Sequence, residues 1–249
     1  MSEEVDWDVI GKVNPKFTFN FEKLMFRISI NVKDSDNEYK NLKFIFPEGD
    51  ETYFGTFAGI AKNEFNFFDL KPKDGDNIID MGCNYGLVSM VCAALYPQCT
   101  IHAFDPCAKA LENMLLNCFN NKIKNIVFHN TAVTASDKEC LEFYSDLDAG
   151  PSCYVQSDFK KKDMTHVATC KNTHIKDVLD DIGNICYLKM DIEGAEYEVF
   201  DYLFENNKAF QDSIPYRVHI EVHGEEDKKQ NLINKLNKVF INDKNIISI

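Results

Sequence analysis

Ile78-Ile79-Asp80-Met81-Gly82-Cys83-Asn84-Tyr85-Gly86 is the stretch of sequence that decides the fold. A short apolar run ends in an acid, a turn with two glycines follows, and residues 87–95 then have the pattern of a helix. This order of strand, tight turn and helix lets backbone N–H groups at the helix start face a ligand. Because a Gly-x-x-x-Gly spacing is common by chance, the prediction depends on the strand before the turn and the helix after it.

From residue 77 onward, apolar runs of strand length alternate with stretches of helical pattern. Strands that alternate with helices pair in parallel. The sequence therefore predicts an α/β protein with a doubly wound, mostly parallel sheet. Its strands are predicted at 77–81, 100–105, 125–129, 185–190 and 217–222, and its helices at 86–95, 107–121, 174–181, 194–207 and 227–239.

Residues 1–70 have a different pattern and are predicted to form an N-terminal antiparallel β plus helix extension. Apolar and polar residues alternate over 17–46, and aromatic residues at nearly helical spacing follow from Tyr53 to Phe68. The sheet domain is predicted over 71–249. Within it, residues 134–172 are predicted to form one or two short strands and a mobile loop, and residues 239–249 a closing β-hairpin.

The composition limits the class of partner and the compartment. The net charge is −13 over 249 residues, and Arg27 and Arg217 are the only arginines, which argues against nucleic acid or an anionic membrane as the main partner. No apolar run approaches the roughly 20 residues that span a bilayer, and the acidic start lacks a signal-peptide pattern. Nine cysteines without a Cys-x-x-Cys motif are typical of free thiols in a reducing compartment. We expect a cytoplasmic protein.

The glycine turn and the end of the next strand are candidates for ligand binding. Gly82 and Gly86 allow the backbone to approach a ligand, and the Asn84 amide can both donate and accept hydrogen bonds. The motif lacks the glycine that makes room for pyrophosphate in dinucleotide-binding loops, so a ligand without phosphates is favoured. Asp105 follows about 20 residues later, where a carboxylate can accept hydrogen bonds from both ribose hydroxyls. It could also cap the helix that begins near Pro106.

Three acids, Asp191, Glu193 and Glu196, follow the apolar strand at 185–190. Acids at one strand end repel one another, which is typical of a site for a cationic ligand, a metal or a general base. The helix dipole also favours acids at a helix start. This effect explains Glu193 and Glu196 adequately but Asp191 less well. Glu221 and His223 lie at the carboxyl end of the strand predicted at 217–222, and His223 is a candidate proton acceptor.

Several of these stretches resemble the FkbM family of S-adenosylmethionine-dependent methyltransferases. The similar stretches are 80–86, 103–106, 125–133, 188–196 and 221–223, in the right order along about residues 76–223. The segment Lys-x-Asp-x-Glu-Gly-Ala-Glu is the most specific of them. Two positions depart from the family pattern, since Cys83 replaces the usual alanine and Asp105 the usual glutamate. The pattern does not extend to residues 1–70.

The resemblance implies a Rossmann-like class I methyltransferase that uses S-adenosylmethionine to methylate a hydroxyl group on a small molecule or sugar. It implies catalytic roles for Asp191, Glu193 and His223. The cofactor-binding residues it implies are Asp80, Gly82, Cys83, Asn84, Gly86, Asp105, Ala132 and Asp191.

Three alternatives remain open at this point. A nicotinamide-dependent oxidoreductase would need a loop that fits phosphates. A methyltransferase-like fold could also serve as a non-catalytic binding module. No metal site is predicted, although Asp191 and Glu193 could provide oxygen ligands for a metal-assisted transfer.

Overall fold

A computed structural model describes residues 17–21, 27–33, 39–46, 53–145, 154–155, 165–206, 217–239 and 246–248 of the chain. The strands are, in chain order, β1 (Phe17–Phe21), β2 (Arg27–Lys33), β3 (Tyr39–Ile45), β4 (Asn77–Met81), β5 (Thr100–Phe104), β6 (Ile126–His129), β7 (Ala132–Thr134), β8 (Cys140–Ser145), β9 (Tyr154–Val155), β10 (Thr165–His174), β11 (Ile185–Met190), β12 (Arg217–Ile220) and β13 (Ile246–Ser248). The helices are α1 (Tyr53–Lys62), α2 (Leu87–Leu95), α3 (Ala108–Asn121), α4 (Ile175–Asp181), α5 (Glu196–Asn206) and α6 (Glu226–Val239).

The central feature is a six-stranded sheet in the order β13-β12-β11-β4-β5-β6. Every pair of neighbouring strands in it is parallel. The predicted α/β fold with a doubly wound parallel sheet is therefore confirmed. Strands β4 and β11 lie at its centre, so the residues that follow them meet at one edge of the sheet.

Both faces of this sheet are buried, because successive side chains of a strand point to opposite sides. Ile78 and Tyr187 belong to a hydrophobic cluster that includes residues of α2 and α3. The next residues along the same strands, Ile79 and Leu188, belong to a second cluster with residues of α4, α5 and α6. The alternation explains why the two strands have almost continuous apolar sequences.

The predicted N-terminal extension is also present, as an antiparallel sheet in the order β1-β2-β3 followed by α1. Phe44 and Phe57 pack edge to face, with ring centroids 5.6 Å apart, and both belong to the cluster on the α2 side of the central sheet. The predicted helical run was too long, because α1 ends at Lys62 and Phe65 and Phe68 lie in turns. The domain boundary at residue 70 stays a prediction.

Two asparagines of α3 fix the edge of β3. The Asn117 amide accepts a hydrogen bond from Ile45 N at 2.9 Å and donates to Ile45 O at 3.0 Å. Asn121, one turn later, does the same with the N–H and C=O of Lys43, at 2.7 Å each. The two side chains replace a neighbouring strand, because residues i and i+4 of a helix lie on the same face. This contact positions the extension beside the central sheet.

The prediction of one or two short strands in residues 134–172 is corrected, because this region contributes β8, β9 and β10 to a second sheet in the order β7-β10-β8-β9. Strand β10 is ten residues long, and its sequence, Thr-His-Val-Ala-Thr-Cys-Lys-Asn-Thr-His, has no apolar alternation. The strand forms instead because it pairs with β7 and β8. The loop predicted over the sheet edge falls largely on 146–153 and 156–164, which lie outside the described residues.

The predicted C-terminal hairpin is corrected as well. Helix α6 continues to Val239, and β13 joins the edge of the central sheet in parallel with β12. Residues 240–245 lie outside the described part of the chain. None of the described helices is both long enough and apolar enough to cross a bilayer.

Candidate functional site

The turn after β4 is held against the neighbouring strands. Gly82 N and Cys83 N both donate hydrogen bonds to Phe104 O at the end of β5, at 2.9 and 3.0 Å. Gly82 has a φ of +74°, and a Cβ atom added there would lie 1.7 Å from Asp191 O. Only glycine fits this position, because the turn is in direct contact with Asp191, the residue that follows β11.

Gly86 is required for a different reason. It has a φ of +75° at the start of α2, and an added Cβ would lie 2.2 Å from the sulfur of Met114 on α3. The glycine therefore allows α2 and α3 to pack closely. It is not one of the residues that line the two cavities described below, and its predicted contact with a ligand stays a prediction.

The Asp105 carboxylate holds the turn from the side of β5. Its Oδ2 accepts a hydrogen bond from Asn84 N at 2.7 Å, and its Oδ1 accepts one from Cys107 N at 2.8 Å. The residue is 8% exposed. Burial raises the pKa of this carboxyl to about 6, and the two N–H donors oppose the shift. Each carboxylate oxygen has a second lone pair, so Asp105 can still accept hydrogen bonds from a ligand.

A first cavity of about 170 Å³ lies over the carboxyl ends of β4, β5 and β11. Ala132, Val133 and Phe143 contribute apolar side chains to its wall, and Phe104 lies beside them. Six of the predicted site residues line it, namely Gly82, Asn84, Asp105, Ala132, Asp191 and Glu193. The cavity thus combines an apolar wall with three carboxylates.

A second, larger cavity of about 600 Å³ lies beside the first and shares Gly82, Asn84, Tyr85 and Asp191 with it. The predicted site residue Cys83 also lines this cavity. The N-terminal extension supplies part of the wall through α1 and the turn after it, and β11 and β12 supply another part. The additional lining residues include Tyr53, Thr56, Glu64, Phe65, Lys189, His219 and Glu221.

Lys189 connects the carboxylates of neighbouring strands beneath these cavities. Its Nζ lies 3.0 Å from Gly82 O, 3.3 Å from Asp191 Oδ2 and 3.4 Å from Asp80 Oδ1. Burial alone would lower the pKa of Lys189, but Asp191 and Asp80 outweigh it and raise the pKa. The buried lysine is therefore charged, and it fixes Asp191 and the glycine turn relative to each other.

Asp80 lies behind the cavities and does not line either of them. It is 1% exposed, and Ser89 Oγ donates a hydrogen bond to its Oδ2 at 2.6 Å. Its Oδ1 makes no hydrogen bond within the described part of the chain and instead faces the Lys189 ammonium. The predicted contact of Asp80 with a cofactor stays a prediction, and the contact that the structure shows is the one with Lys189.

His223 points at the same edge of the sheet but does not line either cavity. Its Nδ1 lies 3.0 Å from Oε1 of the fully buried Glu196, and its Nε2 lies 3.8 Å from Asp191 Oδ1 and 3.6 Å from Glu193 Oε2. Burial lowers the pKa of His223, but the hydrogen bond with Glu196 and the nearby carboxylates raise it to about 9. The role of His223 as a proton acceptor stays a prediction.

Three residues that position the site were missed or misplaced by the sequence analysis. Lys189 was recognisable as a lone charge inside the apolar strand 185–190. Glu196, which was assigned to a helix face, accepts hydrogen bonds from Gly194 N at 2.8 Å and Ile192 N at 3.1 Å. Strand β12 ends at Ile220, not at residue 222, and Glu221 turns into the second cavity.

Comparisons with known proteins agree with this architecture. The family model for the methyltransferase FkbM domain matches residues 80–245. Methyltransferase 1 of Beauveria bassiana (strain ARSEF 2860) is 25% identical to the chain over 165 residues, which cover 59% of this chain. The chain spans 66% of the length of that relative, slightly less than two thirds.

Proposed function

The chain belongs to the FkbM methyltransferase family, and from this premise we propose that it is an S-adenosylmethionine-dependent O-methyltransferase that acts on a small molecule or sugar. The observation that carries the proposal is the first cavity, where the Asp105 carboxylate and the close turn at Gly82 meet. S-adenosylmethionine supplies a methyl group on a positively charged sulfonium. A cationic ligand suits a cavity lined by Asp105, Asp191 and Glu193.

The residues of the first cavity fit a nucleoside. The second lone pairs of the Asp105 oxygens are available to accept the two ribose hydroxyls, as in other α/β folds with an acid at this strand end. Ala132 and Val133 would contact the adenine from β7. Asn130 donates hydrogen bonds to Asp105 O and Pro106 O at 3.0 and 3.1 Å and so holds the backbone that carries the carboxylate.

The same cavity argues against a nicotinamide dinucleotide. Carboxylates of Asp105, Asp191 and Glu193 line it, and they would repel the two negative charges of a pyrophosphate. The ammonium of Lys189 contacts the turn at Gly82 O, but it lies between Asp80 and Asp191. Titration with both cofactors separates the two functions.

The second cavity suits the methyl acceptor. It adjoins the first cavity at Asp191, and its wall combines the aromatic rings of Tyr53 and Phe65 with the carboxylates of Glu64 and Glu221. Carboxylates accept hydrogen bonds from hydroxyl groups, and the volume of about 600 Å³ is in the range of small-molecule sites. The N-terminal extension would therefore contribute to acceptor specificity.

Catalysis in this proposal depends mainly on positioning at Asp191. A well-oriented pair of reactants gains on the order of 7–11 kcal/mol over a free encounter, and Asp191 is the acid that the two cavities share. Asp191, Glu193 and Glu221 are the carboxylates available to accept the proton of an acceptor hydroxyl, which typically contributes about 10²–10⁴-fold.

Replacing Asp105 with alanine is expected to raise the dissociation constant of S-adenosylmethionine by about tenfold or more, or about 1.4 kcal/mol. The ribose would lose its acceptor, and Asn84 N and Cys107 N would lose theirs. Isothermal titration calorimetry with S-adenosylmethionine and S-adenosylhomocysteine measures the change.

Two further variants make the Asp105 result specific. Asp105→Asn keeps one oxygen and the size of the side chain but removes the charge, and it should also bind the cofactor more weakly. Asp180→Ala removes an exposed acid of α4 that pairs with Lys176 and should bind normally. Unchanged affinity in both Asp105 variants would refute the ribose role.

The affinity for S-adenosylmethionine should also fall in acid, because the pKa of Asp105 is about 6 and only the ionised form accepts two ribose hydroxyls. We expect the dissociation constant to be nearly constant above pH 7 and to rise below pH 6, by at most about tenfold per pH unit. Calorimetry between pH 5 and 8 measures this, and Asp105→Asn should remove the dependence. The same slope in that variant would exclude Asp105 as its source.

Unfolding does not account for this expected loss of affinity. Burial raises the folded pKa of Asp105 above its ordinary value near 3.8, so its ionisation costs stability as the pH rises through about 6. Protonation in acid removes that cost. Thermal melting at each pH value provides the check.

A direct test of the proposed function uses methyl-labelled S-adenosylmethionine and the small-molecule fraction of a cell extract. Transfer of label to a compound with a hydroxyl group is the expected result, and mass spectrometry then identifies the acceptor. Binding of the cofactor without any transfer would instead favour a non-catalytic binding module.

A further inference from the structure

Three side chains at the end of the sheet form a group that the proposed function does not fully use. Ligand atoms of Asp191, Glu193 and His223 all lie within 4.8 Å of one another. His223 Nε2 is 3.8 Å from Asp191 Oδ1 and 3.6 Å from Glu193 Oε2, which is too long for hydrogen bonds. Two atoms that each lie about 2.1 Å from one metal ion are up to about 4.2 Å apart, so these distances match a shared cation.

The orientation of His223 is set from outside this group. Its Nδ1 lies 3.0 Å from Glu196 Oε1, and Glu196 is itself buried and held by two backbone N–H groups. Histidines that bind metals almost always have a carboxylate or a carbonyl on the other ring nitrogen, because that partner fixes the ring and its tautomer. Glu196 therefore turns Nε2 towards Asp191 and Glu193.

Five carboxylates gather at this edge of the sheet. They belong to Asp80, Asp191, Glu193, Glu196 and Glu221, and the basic groups of Lys189 and His223 lie among them. Lys189 already lies between two of these acids. Repulsion among the acids falls when a divalent cation joins them.

We propose that Asp191, Glu193 and His223 together bind one divalent cation. Two carboxylates with one imidazole suit Mn²⁺ or Mg²⁺ better than a softer metal that prefers thiolates. This inference departs from the sequence analysis, which predicted no metal site. The binding itself does not depend on the proposed function. If that function holds, the cation would lie at Asp191, the acid that lines both cavities. Glu221, which does not bind the cation, would then take the proton from the hydroxyl group of the methyl acceptor.

Titration with Mn²⁺ tests the site without any methyl donor. The protein is dialysed against EDTA and then against buffer, and free Mn²⁺ is measured by its electron paramagnetic resonance signal. We expect one site in the wild type and at least tenfold weaker binding in Glu193→Gln and His223→Gln. Asp201→Asn, which changes an exposed acid on α5, should bind like the wild type.

Each result of this titration decides the inference. Absence of Mn²⁺ binding at 1 mM would overturn the site. Equal binding by the wild type, Glu193→Gln and His223→Gln would place any bound ion elsewhere and would also overturn it. Because Glu193→Gln keeps the size of an incompletely buried side chain, it should stay folded even if His223→Gln does not. Normal titration with S-adenosylmethionine in a protein that binds no Mn²⁺ would leave the proposed function intact.

Discussion

Replacing Asp191 with asparagine is expected to reduce methyl transfer by about 100-fold or more while the protein stays folded. Asp191 is the acid common to both cavities, and its Oδ2 lies 3.3 Å from the buried Lys189 ammonium. Asparagine has the same size and keeps the backbone hydrogen bond to Met81 O at 3.0 Å. It loses the charge that would stabilise a cationic methyl donor and hold an acceptor hydroxyl.

Three measurements make the Asp191 result specific. Label transfer from S-adenosylmethionine gives the rate, calorimetry gives the cofactor affinity, and thermal melting reports the fold. Asp201→Asn is the matched control, since its pairing with Lys235 is exposed and such pairs contribute little to stability. Transfer close to the wild-type rate in Asp191→Asn would remove this residue from the mechanism.

Replacing Gly82 with alanine is expected to lower the affinity for S-adenosylmethionine by more than tenfold and to lower the melting temperature. An alanine Cβ would lie 1.7 Å from Asp191 O, so the turn after β4 and the residue after β11 must separate. The left-handed φ of +74° adds about 1–2 kcal/mol of backbone strain. Movement of the turn would also disturb Lys189, which contacts Gly82 O.

The control for Gly82→Ala is Gly183→Ala, because no atom lies within 4 Å of a Cβ added at Gly183. That variant should bind S-adenosylmethionine normally and melt near the wild-type temperature. Calorimetry and thermal melting of the two variants side by side measure the difference. Normal binding by Gly82→Ala would show that the turn does not need its present contact with residue 191.

The centre of the fold could be predicted because local pattern and tertiary position agree there. Asp80, Asp105 and Asp191 each follow an apolar run of strand length, and parallel strands end at a common edge. The sequence pattern therefore predicts Asp105 and Asp191 at one edge of the sheet, and both line the first cavity. It could not show that Asp80 is buried under Lys189, because the depth of a side chain at a strand end depends on the neighbouring strands.

Other parts of the molecule depend on contacts distant in sequence. Strand β10 has no apolar alternation and forms through pairing with β7 and β8. His223 turns towards Glu196, 27 residues earlier in the chain, so the predicted end of its strand did not indicate its partner. The wall of the second cavity at Tyr53 and Phe65 comes from the extension, whose sequence carries no motif.

The central claim is that a nucleoside bearing a sulfonium binds over the carboxyl ends of β4, β5 and β11. A crystal structure of the protein with S-adenosylhomocysteine tests this most directly. The account predicts the ribose hydroxyls within hydrogen-bonding distance of the Asp105 carboxylate, the adenine against Ala132, and the sulfur on the side of Asp191. Electron density for the nucleoside elsewhere on the protein, with the first cavity empty, would contradict it.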